Sequence, residues 1–353
     1  MRFFSMARFK LMGPVSPAGE NMDVVSAFRK TAWPGCRMVF PEGEEERILA
    51  AAAEVGRRRI ASPVLLGDRE KLEMLAKSLK VSLKGIEVID TSGGVDSKYV
   101  KEYRKVRSAP PALAEKMLSS PLFLGCLMAG MGEADAVIAG AATSSADVIT
   151  AAEGMVGLRK GISVPSSFFL MEIPRCSAGE KGLLLFADSS VNIDPSPAEL
   201  ADIAATTAQT AKELMGWKPR VAMLSFSTKG SAIHPRADKV IEAVKLANRK
   251  APGLAIDGEM QGDSALSMAI AKKKMKRGTG RVAGRANVLV FPDLDSGNIS
   301  YKLVQELAHA NAYGPILQGF RKPVSDLSRG AKAKDIVGVA AMLSTWAKRG
   351  RKK

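Results

Sequence analysis

The sequence predicts an α/β protein in two domains, built on mostly parallel sheets, and three observations carry that expectation. Short apolar runs such as Met38-Val39-Phe40, Ala136 to Ala139 and Val221 to Phe226 alternate with helical patterns of about ten residues or more, the rhythm of strands joined by right-handed helical crossovers. Nearly every apolar run ends in glycine or polar residues, as happens where the carboxyl ends of strands border a ligand crevice. The 353 residues exceed the usual size of one domain, and the rhythm lapses at 153–180, where Gly154, Gly157, Gly161, Pro165 and Pro174 mark a crossing between two.

Taken in order, a short amphipathic helix at 23–32 leads to the strand 38–40, which stops at Pro41-Glu42-Gly43. The segment 44–57 has helical spacing, with Ile48, Leu49, Ala52 and Val55 on one side. Strand 63–66 ends at Gly67-Asp68, a helix runs to Leu79, and strand 86–89 ends at Asp90. Helical segments at 97–107 and 110–131 precede strand 136–139 and Gly140. Beyond the lapse come strands 168–171 and 183–186, a long helix at 197–215, strand 221–226 and helix 235–249. Strand 254–256, helix 263–275, strand 288–291, helix 300–310, strand 315–317 and helix 333–347 complete the chain. The segments PEG, GAATSSAD, SFSTKGS, DGEMQ, PDLDSGN and LQG are therefore expected along the same edge of one or two sheets.

Composition narrows the function. With 46% hydrophobic residues the chain is not expected to be disordered, and apolar stretches such as Val337 to Leu343 are too short to cross a bilayer. Cys36, Cys126 and Cys176 lie far apart with no CxxC, which argues for a reducing compartment and against a zinc site. The net charge of +16 raises the alternative of a nucleic-acid surface, but the basic residues fall in short runs (57–59, 272–274, 276–277 and 348–353) with few aromatics between them. Solvated faces and a frayed tail account for those runs, and a polyanionic small ligand gains from the same field. Residues 1–21 lack the long apolar core of a secretory signal; a poorly ordered extension is expected, with a targeting or encapsulation peptide as the alternative.

Chemistry concentrates at 314–337, GPILQGFRKPVSDLSRGAKAKDIV. Ser328, Arg329, Gly330 and Asp335 fall beside a predicted helix N-terminus, whose free N–H groups favour anions, so the set can bind an anionic acyl donor and accept a proton. Helix capping by Ser328 and dipole compensation by Asp335 explain the same residues without chemistry. Ser227, Thr228, Lys229 and Gly230 follow a strand and suit a phosphate cradle, although the chain has no Gly-Lys pair and hence no Walker A loop. Ser144, in the Gly140–Asp147 stretch, is open to helix capping or to ligand contact. Gly278 to Gly284 precedes a strand and has one residue too many for a dinucleotide fingerprint. His234 and His309, the two histidines, show no HExxH spacing and offer little for a metal or a serine–histidine mechanism.

Several longer blocks, VFPEGEEERIL at 39–49, ADAVIAGAATSSAD at 134–147, SFSTKGSAIHP at 225–235, DGEMQGDSA at 257–265, ANVLVFPDLDSGNISYKLVQ at 286–305 and PILQGFRKPVSDLSRG at 315–330, resemble the phosphate acetyltransferase (phosphotransacetylase) family. The resemblance runs in order from about residue 25 to the end. It implies a fold like that of isocitrate and isopropylmalate dehydrogenases, with a cleft between a first domain of residues 22–161 plus 320–353 and a second of 162–319. It also implies a homodimer, a cytoplasmic location, coenzyme A as substrate and no tightly bound cofactor, with no nucleic-acid or membrane partner. The reaction implied is reversible acetyl transfer between acetyl phosphate and coenzyme A. Asp335 matches the family's proposed base for the thiol, Ser328 and Arg329 match residues that hold acetyl phosphate, and Arg104 matches an arginine associated with coenzyme A or phosphate. Cys176 lies where the family often has a cysteine, for which packing is the simpler role. Two positions depart from the family pattern: Thr150 and Glu306 stand where arginine is usual. A related propionyl or butyryl transferase, and a weakly active or non-catalytic paralogue, are therefore carried as alternatives.

Overall fold

A computed structural model of the chain describes residues 24–276 and 278–351; the amino-terminal extension lies outside the described residues. The strands are β1 (Arg37–Phe40), β2 (Ser62–Gly67), β3 (Glu87–Asp90), β4 (Ala136–Ala139), β5 (Ser166–Glu172), β6 (Leu183–Ala187), β7 (Arg220–Leu224), β8 (Ala255–Met260), β9 (Val288–Val290), β10 (Asn311–Gln318) and β11 (Val324–Asp326). The helices of the first half are α1 (Val24–Thr31), α2 (Glu46–Arg57), α3 (Arg69–Ser78), α4 (Ser97–Arg107), α5 (Pro111–Leu118), α6 (Pro121–Gly130) and α7 (Ser145–Ala151). Those that follow are α8 (Ala178–Lys181), α9 (Pro197–Thr210), α10 (Pro235–Lys250), α11 (Gly262–Leu266), α12 (Met268–Lys274), α13 (Leu294–Leu307) and α14 (Ala333–Gly350). Single π-helical turns at Ala152–Val156 and Ala211–Met215 extend α7 and α9.

All eleven strands join one sheet in the order β3-β2-β1-β4-β11-β10-β5-β6-β9-β7-β8. β1 to β4 and β11 run parallel; β10 is antiparallel to both β11 and β5, and β5 is antiparallel to β6. β6, β9, β7 and β8 are then parallel to one another, opposite in direction to the first set. The expected common edge is thereby corrected. The carboxyl ends carrying PEG, GAATSSAD and DLSRG lie at one edge, and those carrying SFSTKGS, DGEMQ and PDLDSGN at the other, because the antiparallel pairs β11–β10, β10–β5 and β5–β6 reverse the direction.

Strand alternation explains the layering. Met38, Phe40, Phe168, Leu170, Leu185 and Val221 face one side, where α1, α2, α9, α10 and α14 cover a continuous core across both halves of the sheet. The intervening residues face the other side, where two separate clusters form. Val39, Val64 and Val137 pack with α6 and α7, while Phe169, Phe186 and Leu289 pack with α11 to α13.

Four segments differ from the sequence expectation for local reasons. The helix expected at 110–131 breaks into α5 and α6, because Pro121 holds Ser120 in extended backbone (φ −78°, ψ 117°). The helix expected at 263–275 breaks at Ser267 (φ −112°, ψ 114°), whose hydroxyl caps α12. α13 begins at Leu294, six residues before Ser300, because the Asp293 carboxylate accepts from the Ser296 N–H and caps it there. β11 occupies what the sequence presents as a proline-bearing turn, with Val324 paired to Val137 of β4. Gly130 lets α6 approach the π turn closely: a Cβ there would lie 2.1 Å from the Met155 carbonyl oxygen.

Candidate active site

The paired ends of β4 and β11 bring together two loops. Leu327 N–H donates to Ala139 O at 2.6 Å, which places Ser328–Gly330 beside the Gly140–Ser144 turn. Gly140 has φ +100°, and a Cβ on it would lie 2.4 Å from Asp326 Oδ1 and 2.6 Å from Leu327 N, so glycine alone fits.

Ser328 and Arg329 are exposed, and Asp335 is half-buried in the first turn of α14. The Ser328 hydroxyl accepts loosely from Gly330 N–H (3.4 Å), and Ala331 N–H donates to Ser328 O at 2.8 Å to close the turn. Asp335 Oδ2 accepts from Lys332 N–H at 3.0 Å, serving the helix terminus. A hydroxyl, a guanidinium and a carboxylate are thus presented on one loop-to-helix corner. The capping explanation holds for Asp335 and does not consume the Ser328 or Arg329 side chains.

Beneath this corner lies a charged layer that the spacing of residues did not bring to notice. Glu42, one residue past β1 and its Pro41, fills the Gly140–Thr143 turn: its oxygens accept from the N–H groups of Ala141 (2.8 Å), Ala142 (3.0 Å) and Thr143 (2.8 Å), and from the Thr143 hydroxyl (2.7 Å). Arg47, in the first turn of α2, donates to Arg329 O (2.6 Å), Ala331 O (2.9 Å) and Ala141 O (3.1 Å). Asp326 is 1% exposed, its Oδ1 has no hydrogen-bond partner among the described residues, and burial raises its carboxyl to about 6, opposed by the Ser145 hydroxyl and reinforced by Glu42, with Arg329 opposing weakly. One sequence signal was available for Arg47: a cation in the first turn of a helix opposes the helix dipole and so needs another reason to be there.

The remaining candidates are placed as follows. Ser144 caps α7, its hydroxyl accepting from Asp147 N–H at 3.2 Å and donating to Asp147 Oδ2 at 2.7 Å. Arg104, exposed on α4, reaches only Ala109 O (3.3 Å) among the described residues. Ser227, Thr228, Lys229 and Gly230 form the turn after β7, at the opposite edge of the sheet from Ser328. There Glu259, 2% exposed, accepts from the Ser227 hydroxyl (2.9 Å) and Gly230 N–H (2.7 Å), while Thr228 bonds Gln261 and Lys229 pairs with Asp257. The donors suited to phosphate are therefore neutralised by the protein's own carboxylates. Of the two departures, Thr150 bonds back to Ala146 O (2.7 Å) within α7, and Glu306 is exposed near the end of α13. Cys36 and Cys126 are buried, and burial pushes both thiols up to about 12, which suits packing rather than nucleophilic work.

A continuous α/β sheet whose strand-end loops present a hydroxyl, a guanidinium and a carboxylate defines an α/β protein with a candidate site for anionic substrates at its strand ends. Comparison with known proteins makes this specific. The chain belongs to the phosphate acetyl/butaryl transferase family, whose model matches residues 26–344. It is 43% identical over 318 residues to a phosphate acetyltransferase of Clostridium acetobutylicum, covering 89% of this chain and 95% of that protein. The corresponding enzyme of Thermoanaerobacterium thermosaccharolyticum is 46% identical over 315 residues, covering 88% and 95%. A phosphotransacetylase structure from Streptococcus pyogenes superposes with a TM-score of 0.86 at 40% identity, covering 92% of this chain and 98% of that one. At 15% identity and a TM-score of 0.54, a putative 4-hydroxythreonine-4-phosphate dehydrogenase of Salmonella typhimurium shares the fold alone, in keeping with the dehydrogenase-like architecture expected.

Proposed function

We propose that the chain catalyses reversible transfer of an acetyl group between acetyl phosphate and coenzyme A, with the Ser328–Asp335 corner as its reactive centre. A single observation carries the proposal for the site: Ser328 and Arg329 stand exposed beside half-buried Asp335 on a corner pinned by Leu327, Glu42 and Arg47. The Asp335 carboxylate accepts the proton of the coenzyme A thiol, which at neutral pH is only a few per cent ionised. The thiolate sulfur attacks the acetyl carbonyl carbon; the C–S bond forms, the bond from that carbon to the phosphate oxygen breaks, and phosphate leaves with the electron pair. The Ser328 hydroxyl and the Arg329 guanidinium stabilise the charge that develops on the carbonyl oxygen and the departing phosphate, a contribution of about 3 kcal/mol per donor in comparable sites. No covalent enzyme intermediate is required.

Arg104, Ser144 and the Ser227–Gly230 turn are assigned to holding the anionic substrates. At that turn an anion competes with Glu259 and Asp257, so its gain is only what it offers beyond those carboxylates. The test is coenzyme A-dependent release of phosphate from acetyl phosphate. Asp335→Ala is expected to lower kcat by about a hundredfold or more with KM little changed. Wild-type kcat in that variant refutes the assignment of the base.

A further inference from the structure

We infer that Arg47 is a positioning residue for acetyl transfer: its guanidinium sets the loop that carries Ser328 and Arg329 against the Gly140–Ser144 turn. This rests on the reading of the Ser328–Asp335 corner given above.

The geometry is that of a clamp. Three carbonyl oxygens from two loops, Arg329 O, Ala331 O and Ala141 O, converge on one guanidinium at 2.6, 2.9 and 3.1 Å. The guanidinium is itself held. Its Nε donates to Glu45 Oε1 at 2.7 Å, and Glu45 is fixed as the N-cap of α2 by accepting from the N–H groups of Arg47 (2.8 Å) and Ile48 (3.0 Å). The base of the clamp is rigid as well, because Ile48, Leu49, Ala52 and Val55 of α2 are buried in the core.

Glu42 works from the other side of the same turn. Its carboxylate takes the three N–H groups of Ala141 to Thr143, while Arg47 takes the Ala141 carbonyl. Two oppositely charged groups five residues apart in sequence therefore hold both polarities of one turn and extend to the second loop. Arg329 O and Ala331 O precede α14 and Ala141 O precedes α7, all outside any strand or helix, so no sheet or helix bond replaces Arg47 when it is removed.

Arg47 does not act through helix stability. A cation in the first turn of a helix is disfavoured by the dipole, and a half-buried, still solvent-screened Glu45–Arg47 pair two residues apart contributes little. Its planar fork of donors is what the site uses, since several fixed acceptors can be satisfied by one side chain in one orientation. Displacing reacting groups by about 1 Å commonly costs about a hundredfold in rate, so loss of the clamp is read in kcat.

The experiment measures kcat and KM for acetyl phosphate and coenzyme A on the full chain carrying Arg47→Gln, Arg47→Lys, Ser328→Ala, or Arg47→Gln with Ser328→Ala, each checked for folding by thermal unfolding. Arg47→Gln is expected to lower kcat at least about tenfold with both KM values within about threefold, and Arg47→Lys to fall between it and wild type. If Arg47 acts through the loop of Ser328 and Arg329, the loss in the double variant is smaller than the product of the two single losses. Wild-type kcat in both Arg47 variants, or losses that multiply in the double variant, overturns the inference while leaving the reactive centre standing. Wild-type kcat in Ser328→Ala removes the reactive centre itself and the inference with it. Should Arg47→Gln fail to fold, Arg47→Lys alone decides, with undiminished kcat counting against the clamp.

Discussion

Replacing Asp326 by asparagine tests the charged layer under the candidate site without touching the exposed corner. The Asp326 side chain is buried at the tip of β11, where it faces Glu42, Ser145 and Arg329, and burial lifts its carboxyl from 3.8 to about 6. A group that binds its proton more tightly in the folded chain contributes stability that is fully present below the unfolded value and is lost as pH rises through the folded one. A shift of about two pH units corresponds to about 3 kcal/mol, lost across the window from about pH 4 to about pH 6 and above. Asparagine keeps the shape and cannot ionise. Urea unfolding of wild type and Asp326→Asn at half-unit steps from pH 4 to pH 8 should therefore show the variant gaining on wild type by up to about 3 kcal/mol toward high pH. Parallel stability curves would refute the reasoning, because they would mean that Asp326 ionises in the fold as readily as in the unfolded chain.

Three further outcomes follow from the packing and the loops. Gly140→Ala is expected to destabilise by about 2 kcal/mol or more in denaturant titration, since the added Cβ meets Asp326 Oδ1 at 2.4 Å in a backbone held at φ +100°. Phe168→Ala, which empties a fully buried site against Trp346 (ring centroids 6.2 Å apart), is expected to cost about 3–5 kcal/mol by the same measurement. Lys229→Ala removes a cation already paired with Asp257, so KM for acetyl phosphate should rise only a few-fold, with kcat held; a hundredfold loss of kcat would place Lys229 in the chemistry instead.

Much of the fold was legible because its signals are local. The apolar face of α2 at Ile48, Leu49, Ala52 and Val55 matches its buried residues, and α4 and β4 fall where periodicity puts them. β11 was not legible, since three residues, Val324-Ser325-Asp326, are too few to show a period and take their conformation from pairing with β4 and β10. The opposed strand directions were also hidden, because an apolar run reads the same whichever way its neighbour points. At the site, the visible part was the run Ser328-Arg329-Gly330 with Asp335, which fall within eight residues of sequence. Glu42, Arg47 and Asp326 were embedded in recognised blocks, yet their work depends on carbonyl and N–H groups that only the fold brings within reach. Side-chain chemistry can be read from a sequence, whereas the unpaired backbone groups of a loop appear only when the loop is placed.

The most direct test of the central claim is acetyl-coenzyme A formation from coenzyme A and acetyl phosphate, with propionyl and butyryl phosphate in parallel, on wild type and Asp335→Ala. Robust transfer with acetyl phosphate as the preferred donor, lost in the variant, is the predicted result, and it would show that Thr150 and Glu306 are compatible with turnover. Preference for a longer donor would move the substrate within the family. No transfer from any donor, or transfer undiminished in Asp335→Ala, would contradict the account.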